Sequence, residues 1–347
     1  MNMKDIVLKL EKEHFLTDDE FKALLEDDSK ETADFLAERA SAVKKEIYGN
    51  QVYIRGLIEF TNYCKNDCYY CGIRHGNANA DRYRLTKEQI LDCCEVGYNL
   101  GFRTFVLQGG EDGYFTDERI VDIVKAIKAG YPDCALTLSI GEKSYESYKA
   151  FYEAGADRYL LRHETADECH YGKIHPKELS LANRKQCLYN LKEIGYQVGC
   201  GFMVGSPFQT TESIIEDLKF IKELNPHMVG IGPFVPHKDT PFKDMAQGSL
   251  ELTLKLLSII RLMLPHVLLP ATTALGSINA LGREKGILAG ANVVMPNLSP
   301  RDVRKKYLLY DNKICTGDEA AECIVCMKNR MKSIGHEVVI SRGDYKN

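Results

Sequence analysis

The apolar residues follow two alternating patterns along the chain. Eight short apolar runs are typical of buried strands, and most segments between them carry apolar residues at helical spacing. Thr86 opens one such helix with Gln89 three residues later, a capping-box pattern, and another helix ends at Gly195. The apolar runs are VYIRGLIEFT, TFVLQGG, ALTLSI, RYLLRHET, QVGCGFMVG, MVGIGPFVP, LLPATTA and NVVMPN. Strands that alternate with helices predict βαβ units and a parallel sheet.

Eight such units favour an α/β fold of the closed (β/α)8 TIM-barrel type over an open doubly wound sheet, although periodicity alone is compatible with both. Residues 1–48 are predicted to form an N-terminal helical extension, residues 49–299 the barrel, and residues 300–347 a C-terminal extension. Active sites of such barrels lie at the C-terminal ends of the strands. The loops after the first, second, fourth and seventh predicted strands are therefore candidates for the site.

The composition argues against several classes of partner. The chain of 347 residues has a net charge of -4, so no basic excess favours nucleic-acid binding. No apolar run is long enough to span a membrane. The first residues, MNMKDIVLKLEKE, are charged throughout and do not resemble a secretory signal. We therefore expect a cytoplasmic protein that binds neither nucleic acid nor a membrane.

Half of the twelve cysteines fall into two tight groups. The first trio is Cys64, Cys68 and Cys71, and the second trio is Cys315, Cys323 and Cys326. Without an export signal, metal binding by reduced thiols is favoured over disulfides. The remaining cysteines lie in apolar periodic segments, where buried small side chains are expected; they are Cys93, Cys94, Cys134, Cys169, Cys187 and Cys200.

The first trio has the spacing C-x3-C-x2-C and directly follows the first predicted strand. Thiolates bind zinc or iron–sulfur clusters, and a closed 4Fe–4S cluster takes four cysteines. Three cysteines leave one iron open, which a small molecule can occupy. The alternative is structural zinc with His75 as the fourth ligand, but such sites usually draw their ligands from two separated knuckles.

This loop, C-x3-C-x-aromatic-C with Tyr70 as the aromatic residue, resembles that of the radical S-adenosylmethionine (SAM) enzymes. The resemblance implies that the first trio holds a 4Fe–4S cluster and that the amino and carboxylate groups of SAM chelate the fourth iron. It also implies that one electron cleaves SAM to a 5′-deoxyadenosyl radical. The segment after the second strand resembles the family's Gly-Gly-Glu element, which meets the SAM amino group; it comprises Gln108, Gly109, Gly110 and Glu111.

Charged residues concentrate on the fourth predicted strand. By the period-2 rule, Arg158, Arg162 and Glu164 share one face, and His163 lies on the other. Glu164 is predicted to accept hydrogen bonds from ribose, and the arginines to bind carboxylates or other anions. The alternative is an Arg162–Glu164 pair that satisfies itself. For His163, a packed and hydrogen-bonded role is expected.

Within the radical SAM family, five segments resemble the FeFe-hydrogenase maturases: TNYCKNDCYYCGIR, YLLRHETA, MVGIGPFVPHKDTP, PATTALG and GANVVMPN. The resemblance implies an anionic iron–dicarbonyl–cyanide–cysteine substrate inside the barrel, a ferredoxin- or flavodoxin-type electron donor, and other hydrogenase maturases as partners. It assigns the substrate to Arg158, Arg162, Thr137, Thr272, Thr273, Tyr307 and Tyr310. It assigns SAM to Tyr70, Ser139, Glu164, Arg184 and Met295, besides the Gly-Gly-Glu element.

The second trio matches the position where many of these maturases carry an auxiliary iron–sulfur cluster, so a second 2Fe–2S or 4Fe–4S cluster is expected. A zinc knuckle or free thiols are the alternatives. Biotin synthase and methylornithine synthase share the barrel and the first trio; Cys200 alone hints at the former. A non-catalytic electron carrier with two clusters is the alternative from another class, but a carrier gains nothing from an open iron.

Overall fold

The computed structural model describes residues 2–314, 316–317 and 324–346. Its strands are β1 (Gln51–Ile54), β2 (Gly56–Thr61), β3 (Thr104–Gly109), β4 (Ala135–Ser139), β5 (Arg158–Leu160), β6 (Gln197–Cys200), β7 (Met203–Val204), β8 (Met228–Val229), β9 (Gly232–Pro233), β10 (Val293–Val294) and β11 (Glu337–Val339). Its helices are α1 (Met3–Glu13), α2 (Asp18–Glu26), α3 (Lys30–Tyr48), α4 (Lys87–Asn99), α5 (Asp117–Gly130), α6 (Tyr145–Glu153), α7 (Glu168–Ile174), α8 (Leu181–Ile194), α9 (Thr211–Leu224), α10 (Leu250–Met263), α11 (Thr273–Ile278), α12 (Gly282–Leu288), α13 (Arg301–Arg304) and α14 (Ile324–Ser333).

The strands close into a parallel barrel. Strands β2, β3, β4, β5, β6 and β8 are hydrogen-bonded neighbours in that order. Isolated parallel bridges complete the ring through the two segments that follow β8; they join Met228 to Leu268, Pro270 to Val293, and Leu57 to Asn297. The predicted (β/α)8 arrangement is therefore confirmed, with the seventh position occupied by bridge residues instead of a regular strand.

Several predicted strands are interrupted. The first run forms both β1 and β2, and β1 belongs to a smaller sheet with β10 and β11. The fifth run divides into β6 and β7 at Gly201, whose φ of +151° favours glycine. A Cβ atom on Gly201 would lie 2.0 Å from the carbonyl oxygen of Gly230, so the two chains approach too closely for any side chain. The pattern of apolar residues does not show where a strand is interrupted in this way.

Helices cover the barrel, and the apolar core lies between the two layers. The capping box predicted at Thr86 is present at the start of α4. In the N-terminal extension, α3 packs along α10, and this contact explains why α10 is buried on nearly all sides. None of the helices in the described ranges is both long and apolar enough to cross a membrane.

Residues after position 300 contact both ends of the barrel. Those around Tyr307 and Lys313 lie at the C-terminal ends of the strands and line the cavity described below. Strand β11 instead pairs in parallel with β1, beyond the other end of the main sheet. The predicted C-terminal extension therefore contains two regions, one that lines the cavity and one that packs at the opposite end of the barrel.

Candidate active site

A cavity of about 340 Å³ lies inside the barrel at the C-terminal ends of the strands. Residues from most of the strands and from the segment after α13 line it. The structure brings together thirteen of the predicted site residues in its wall: Tyr70, Cys71, Gln108, Gly109, Ser139, Arg162, Glu164, Arg184, Thr272, Thr273, Met295, Tyr307 and Tyr310. The cavity therefore lies at the C-terminal ends of the strands, where the fold class predicts the active site.

The first trio lies in the loop that follows β2. All three cysteines are half-buried free thiols, and Cys71 lines the cavity. An ion pair between Arg74 and Asp67, 2.5 Å apart, stabilises the loop, and the backbone N–H of Gly76 donates to the same carboxylate at 2.8 Å. The loop is thus held by its own polar contacts, with one thiol at the cavity wall.

Burial raises the pKa of the Cys64 thiol, that of Cys68 to about 12, and that of Cys71 further. Thiolates at these positions therefore need a compensating positive charge, which iron ions supply. The backbone N–H of Glu111 already donates to the sulfur of Cys64 at 3.4 Å. Such donors also stabilise thiolates bound to a cluster, so the surroundings of the trio fit an iron–sulfur group. Across the described ranges, no three His, Cys, Asp or Glu side chains converge on a single-ion site.

The Gly-Gly-Glu element contacts this loop directly. A Cβ atom on Gly110 would lie 2.2 Å from the carbonyl oxygen of Tyr63 and 2.7 Å from the Cβ of Cys64, so only glycine fits. The carboxylate of Glu111 accepts from the backbone N–H of Glu142 at 3.0 Å. Gly110 and Glu111 lie beside the cysteine loop and not among the residues that line the cavity. Their predicted contact with SAM stays a prediction.

Two partly buried ion pairs mark the side of the cavity formed by β5 and α8. Arg162 lies 3.0 Å from Glu164, and Arg184 lies 2.8 Å from Glu142. Glu164 has a φ of +67°, which is uncommon for a residue with a side chain and is typical of functional sites. Its N–H donates to the carbonyl of Gly201 at 3.0 Å, which holds this backbone in place. The ion pair weighed as an alternative for Arg162 is therefore present, but it does not satisfy its own hydrogen bonds, because Nε and Nη2 of Arg162 and Oε2 of Glu164 have no hydrogen-bond partner among the described residues.

Arg158 and Thr137 lie elsewhere, and their predicted place in the cavity needs correction. Both line a separate, water-sized space of about 10 Å³ at the barrel floor. Arg158 is bound there by Asp344 at 2.5 Å and by the carbonyl of Arg342 at 2.9 Å. The period-2 rule correctly places Arg158 and Arg162 on one face, but Arg162 lies four residue steps further along the extended chain, roughly 13 Å away along the barrel axis.

Other residues at the site were not found from the sequence. Glu59 and Lys313 form a buried ion pair in the cavity wall, with 2.5 Å between Nζ and Oε1. A lone carboxylate inside the apolar run GLIEFT was a usable signal for Glu59, because a buried charge needs a partner. Lys313 had no comparable signal. His175 hydrogen-bonds to the hydroxyl of Tyr70 at 3.1 Å, and only the fold brings these two together.

Five of the six cysteines expected to be buried are buried, but Cys169 is exposed, so the prediction is wrong for that residue. Cys315 and Cys323 lie outside the described residues, and Cys326 lies exposed in α14. Cys200 is buried in the apolar core and is not among the residues lining the cavity. His163 is fully buried, accepts from the backbone N–H of Gly201 at 3.3 Å and lies 3.2 Å from Asp217, which is the packed and hydrogen-bonded role expected.

Comparisons with known proteins agree with this geometry. The model of the radical SAM superfamily matches residues 58–221, which include the first trio and the Gly-Gly-Glu element. The FeFe hydrogenase maturase subunit HydE of Thermotoga maritima is 43% identical over 97% of this chain and 96% of that protein. The 3-methylornithine synthase of Methanosarcina acetivorans is 31% identical over 93% of this chain and 90% of that protein.

The crystal structure of methylornithine synthase, PylB, superposes with a TM-score of 0.86 at 29% identity and covers 96% of this chain and 97% of its own. Membership of the radical SAM superfamily implies a 4Fe–4S cluster and SAM, and the relationship to HydE implies a small-molecule substrate and an electron donor. The first trio, of which Cys71 lines the cavity in the barrel, fits those cofactors. The chain is therefore a radical SAM enzyme and belongs to the family that contains HydE.

Proposed function

We propose that this enzyme processes an iron–carbonyl–cyanide–cysteine precursor during assembly of the FeFe-hydrogenase active site. The observation that carries the proposal is the 43% identity to HydE over nearly the whole length of both proteins. We also propose that it works in the cytoplasm with a ferredoxin- or flavodoxin-type reductant and with the other maturases that supply and accept the precursor.

In this proposal the first trio binds three irons of the cluster and leaves the fourth to SAM. When bound, these cofactors supply a 5′-deoxyadenosyl radical after one-electron reduction. Glu164 and Arg184 would bind SAM through its ribose and carboxylate groups, and Tyr70 would pack beside it. The narrow fit at Gly110 holds this backbone against the cysteine loop, and the family resemblance assigns the adjacent backbone to the SAM amino group.

The substrate is assigned to the rest of the cavity. The hydroxyl of Thr272 is buried and has no hydrogen-bond partner among the described residues, and the same holds for Nε of Arg162. Unsatisfied buried polar atoms lose free energy unless a ligand pairs with them. Both residues line the cavity, so an anion with several acceptor atoms would satisfy them together.

A second candidate is an amino-acid substrate of the methylornithine synthase type, favoured by the TM-score of 0.86 to that enzyme. Maturation of apo-hydrogenase in a defined assay, with and without this protein, separates the two. We expect maturation by wild type and its loss in Cys68→Ala, which should also lose reductive SAM cleavage. Wild-type protein that cleaves SAM but never supports maturation would contradict the proposal and favour an amino-acid substrate.

We further propose that the second trio binds a separate iron–sulfur cluster that SAM cleavage does not need. The support is its distance in sequence from the first trio and its position in a segment after the cavity-lining residues. A Cys315→Ala, Cys323→Ala, Cys326→Ala triple variant should bind less iron and still cleave SAM. Loss of SAM cleavage in a folded triple variant would contradict the separation.

A further inference from the structure

The buried ion pair between Glu59 and Lys313 lies in the cavity wall, and neither residue is among those assigned to SAM. Glu59 is on β2, three strands around the barrel from the Arg162–Glu164 pair beyond β5. The side chains are 1% and 5% exposed. Two charges at this depth lose much of their hydration, so a pair retained there needs either a structural or a ligand-binding explanation.

The hydrogen bonds of Lys313 leave one proton available. Its Nζ donates to Oε1 of Glu59 at 2.5 Å and to the carbonyl of Tyr307 at 2.8 Å. An ammonium group has three N–H donors, and within the described ranges no third oxygen or nitrogen accepts from it, while the centre of the Tyr307 ring lies 4.8 Å from its Nζ. The other carboxylate oxygen of Glu59 accepts from Asn297 at 2.9 Å. Glu59 is therefore fixed on both oxygens, and it orients Lys313 in the cavity wall.

Neighbouring strands place polar groups at the same height. Glu59 is in register with Gln108 on β3, and Gln108 with Ser139 on β4. All three line the cavity. The side-chain N–H of Gln108 donates to the hydroxyl of Tyr307 at 3.4 Å, which leaves its carbonyl oxygen as an acceptor. One wall thus presents a cationic donor beside neutral acceptors, in a cavity whose remaining lining includes Leu57, Leu160 and Met228.

We propose that Lys313 binds the α-carboxylate of an amino-acid substrate, and that Gln108 and Ser139 accept from its ammonium group. This proposal assigns Gln108 and Ser139 to the substrate, whereas the family resemblance assigned them to SAM. A zwitterion offers one anionic acceptor and one cationic donor a few atoms apart, which matches this wall. The amino acid is free or is the cysteine part of a metal complex. This inference rests on the proposed function only where it names cysteine as the amino acid, because both candidate functions have a substrate that is, or contains, an amino acid.

The test uses the anaerobically reconstituted enzyme with SAM bound, titrated calorimetrically with matched pairs of probes. The pairs are L-cysteine with cysteamine and L-lysine with cadaverine, in which each amine lacks only the carboxylate. We expect wild type to bind at least one amino acid 10-fold or more tightly than its amine. Lys313→Met should remove that preference while leaving the affinities for SAM and for the amine unchanged, and Lys313→Arg should restore part of it.

Several results would overturn the inference: a wild type that binds neither amino acid, no preference for the carboxylate, or an undiminished preference in Lys313→Met. Lys306→Met is the control. Lys306 lies in the same segment as Lys313, is partly exposed and forms an ion pair with Asp81. If Lys313→Met does not fold, Lys313→Arg and Glu59→Gln carry the comparison, and a purely structural pair would leave their carboxylate preference intact. Amino-acid binding without maturation would contradict the proposed function alone.

Discussion

The guanidinium of Arg158 lies 2.5 Å from the carboxylate of Asp344, and this contact joins a central strand of the barrel to residues near the C-terminal strand β11. Arg158 is 3% exposed, and its remaining donors bond to Thr104, Gln197 and the carbonyl of Arg342. Its charge is therefore compensated within the protein.

We expect Arg158→Met to lower the free energy of unfolding by about 2 kcal/mol, the value of a lost hydrogen bond between charged groups. SAM cleavage per folded molecule should not change. Urea denaturation alongside SAM cleavage is the measurement. Lys149→Met is the matched control, because its pair with Glu153 is exposed and contributes little. If the Arg158→Met protein were as stable as wild type but had lost maturation activity, the result would indicate that Arg158 binds the substrate.

The same contact predicts a pH dependence. Burial alone would raise the pKa of Asp344, but Arg342 and Arg158 outweigh it and lower the pKa to about 2. The unfolded value is about 3.9, so the unfolded state binds the proton first, and the contribution is present above that pH and lost as pH falls toward about 2. The stability difference between wild type and Asp344→Asn should therefore shrink between about pH 5 and pH 3. A constant difference would show that the charge of Asp344 is unimportant.

We expect Gly110→Ala to impair cluster loading. The new Cβ atom would meet the carbonyl oxygen of Tyr63 at 2.2 Å and the Cβ of Cys64 at 2.7 Å, so the first trio must move. Iron content and the optical spectrum after reconstitution measure this. Gly113→Ala is the control, since no atom lies within 4 Å of its added Cβ. Equal iron content in the two variants would show that the loop tolerates the shift.

We expect His175 to orient Tyr70 beside SAM. Burial and Arg184 lower the pKa of His175 to about 3, so the ring is neutral. Its Nδ1 donates to the carbonyl of Tyr171 at 3.2 Å, which leaves Nε2 to accept from the Tyr70 hydroxyl at 3.1 Å. His175→Phe should weaken SAM binding about 5- to 10-fold, the effect of one hydrogen bond.

Tyr70→Phe should give a similar loss, and the double variant should be little worse than either, because both remove one interaction. SAM titration of the reduced cluster, followed by its EPR spectrum, is the measurement. His75→Phe, at an exposed position of the cysteine loop, serves as control. Additive losses in the double variant would separate the two residues.

Arg162→Met should reduce maturation much more than SAM cleavage. The substitution keeps the apolar stem and removes the charge, and losing a charged hydrogen bond to a bound anion costs about 2–5 kcal/mol of binding. Maturation, SAM cleavage and melting temperature are measured together. Normal maturation would contradict the assignment, whereas a large fall in melting temperature would favour a structural role for the pair with Glu164.

The alternation of apolar runs was sufficient to predict a parallel sheet covered by helices, because buried strands and amphipathic helices leave a strong periodic signal. The number of units favoured a closed barrel, but periodicity alone was also compatible with an open sheet. The first trio and the Gly-Gly-Glu element were predictable because their chemistry resides in short local segments. Arg158 was misplaced because the period-2 rule predicts only the face of the strand on which a side chain lies. The position of that side chain along the barrel axis depends on contacts with distant residues, here with Asp344. Lys313 was missed because its partner Glu59 is more than two hundred positions away, and periodicity carries no information about such pairs.

The segment after position 300 contributes to the cavity near Tyr307 and Lys313 and to the floor through β11 and Asp344. The cysteine loop is synthesised long before either region leaves the ribosome. A nascent chain therefore contains the three cysteines of the first trio before the residues that close the two ends of the cavity have been synthesised. A chain that ends before position 300 would lack the residues that close the cavity at both ends, so we expect any cluster on its first trio to be more exposed to solvent.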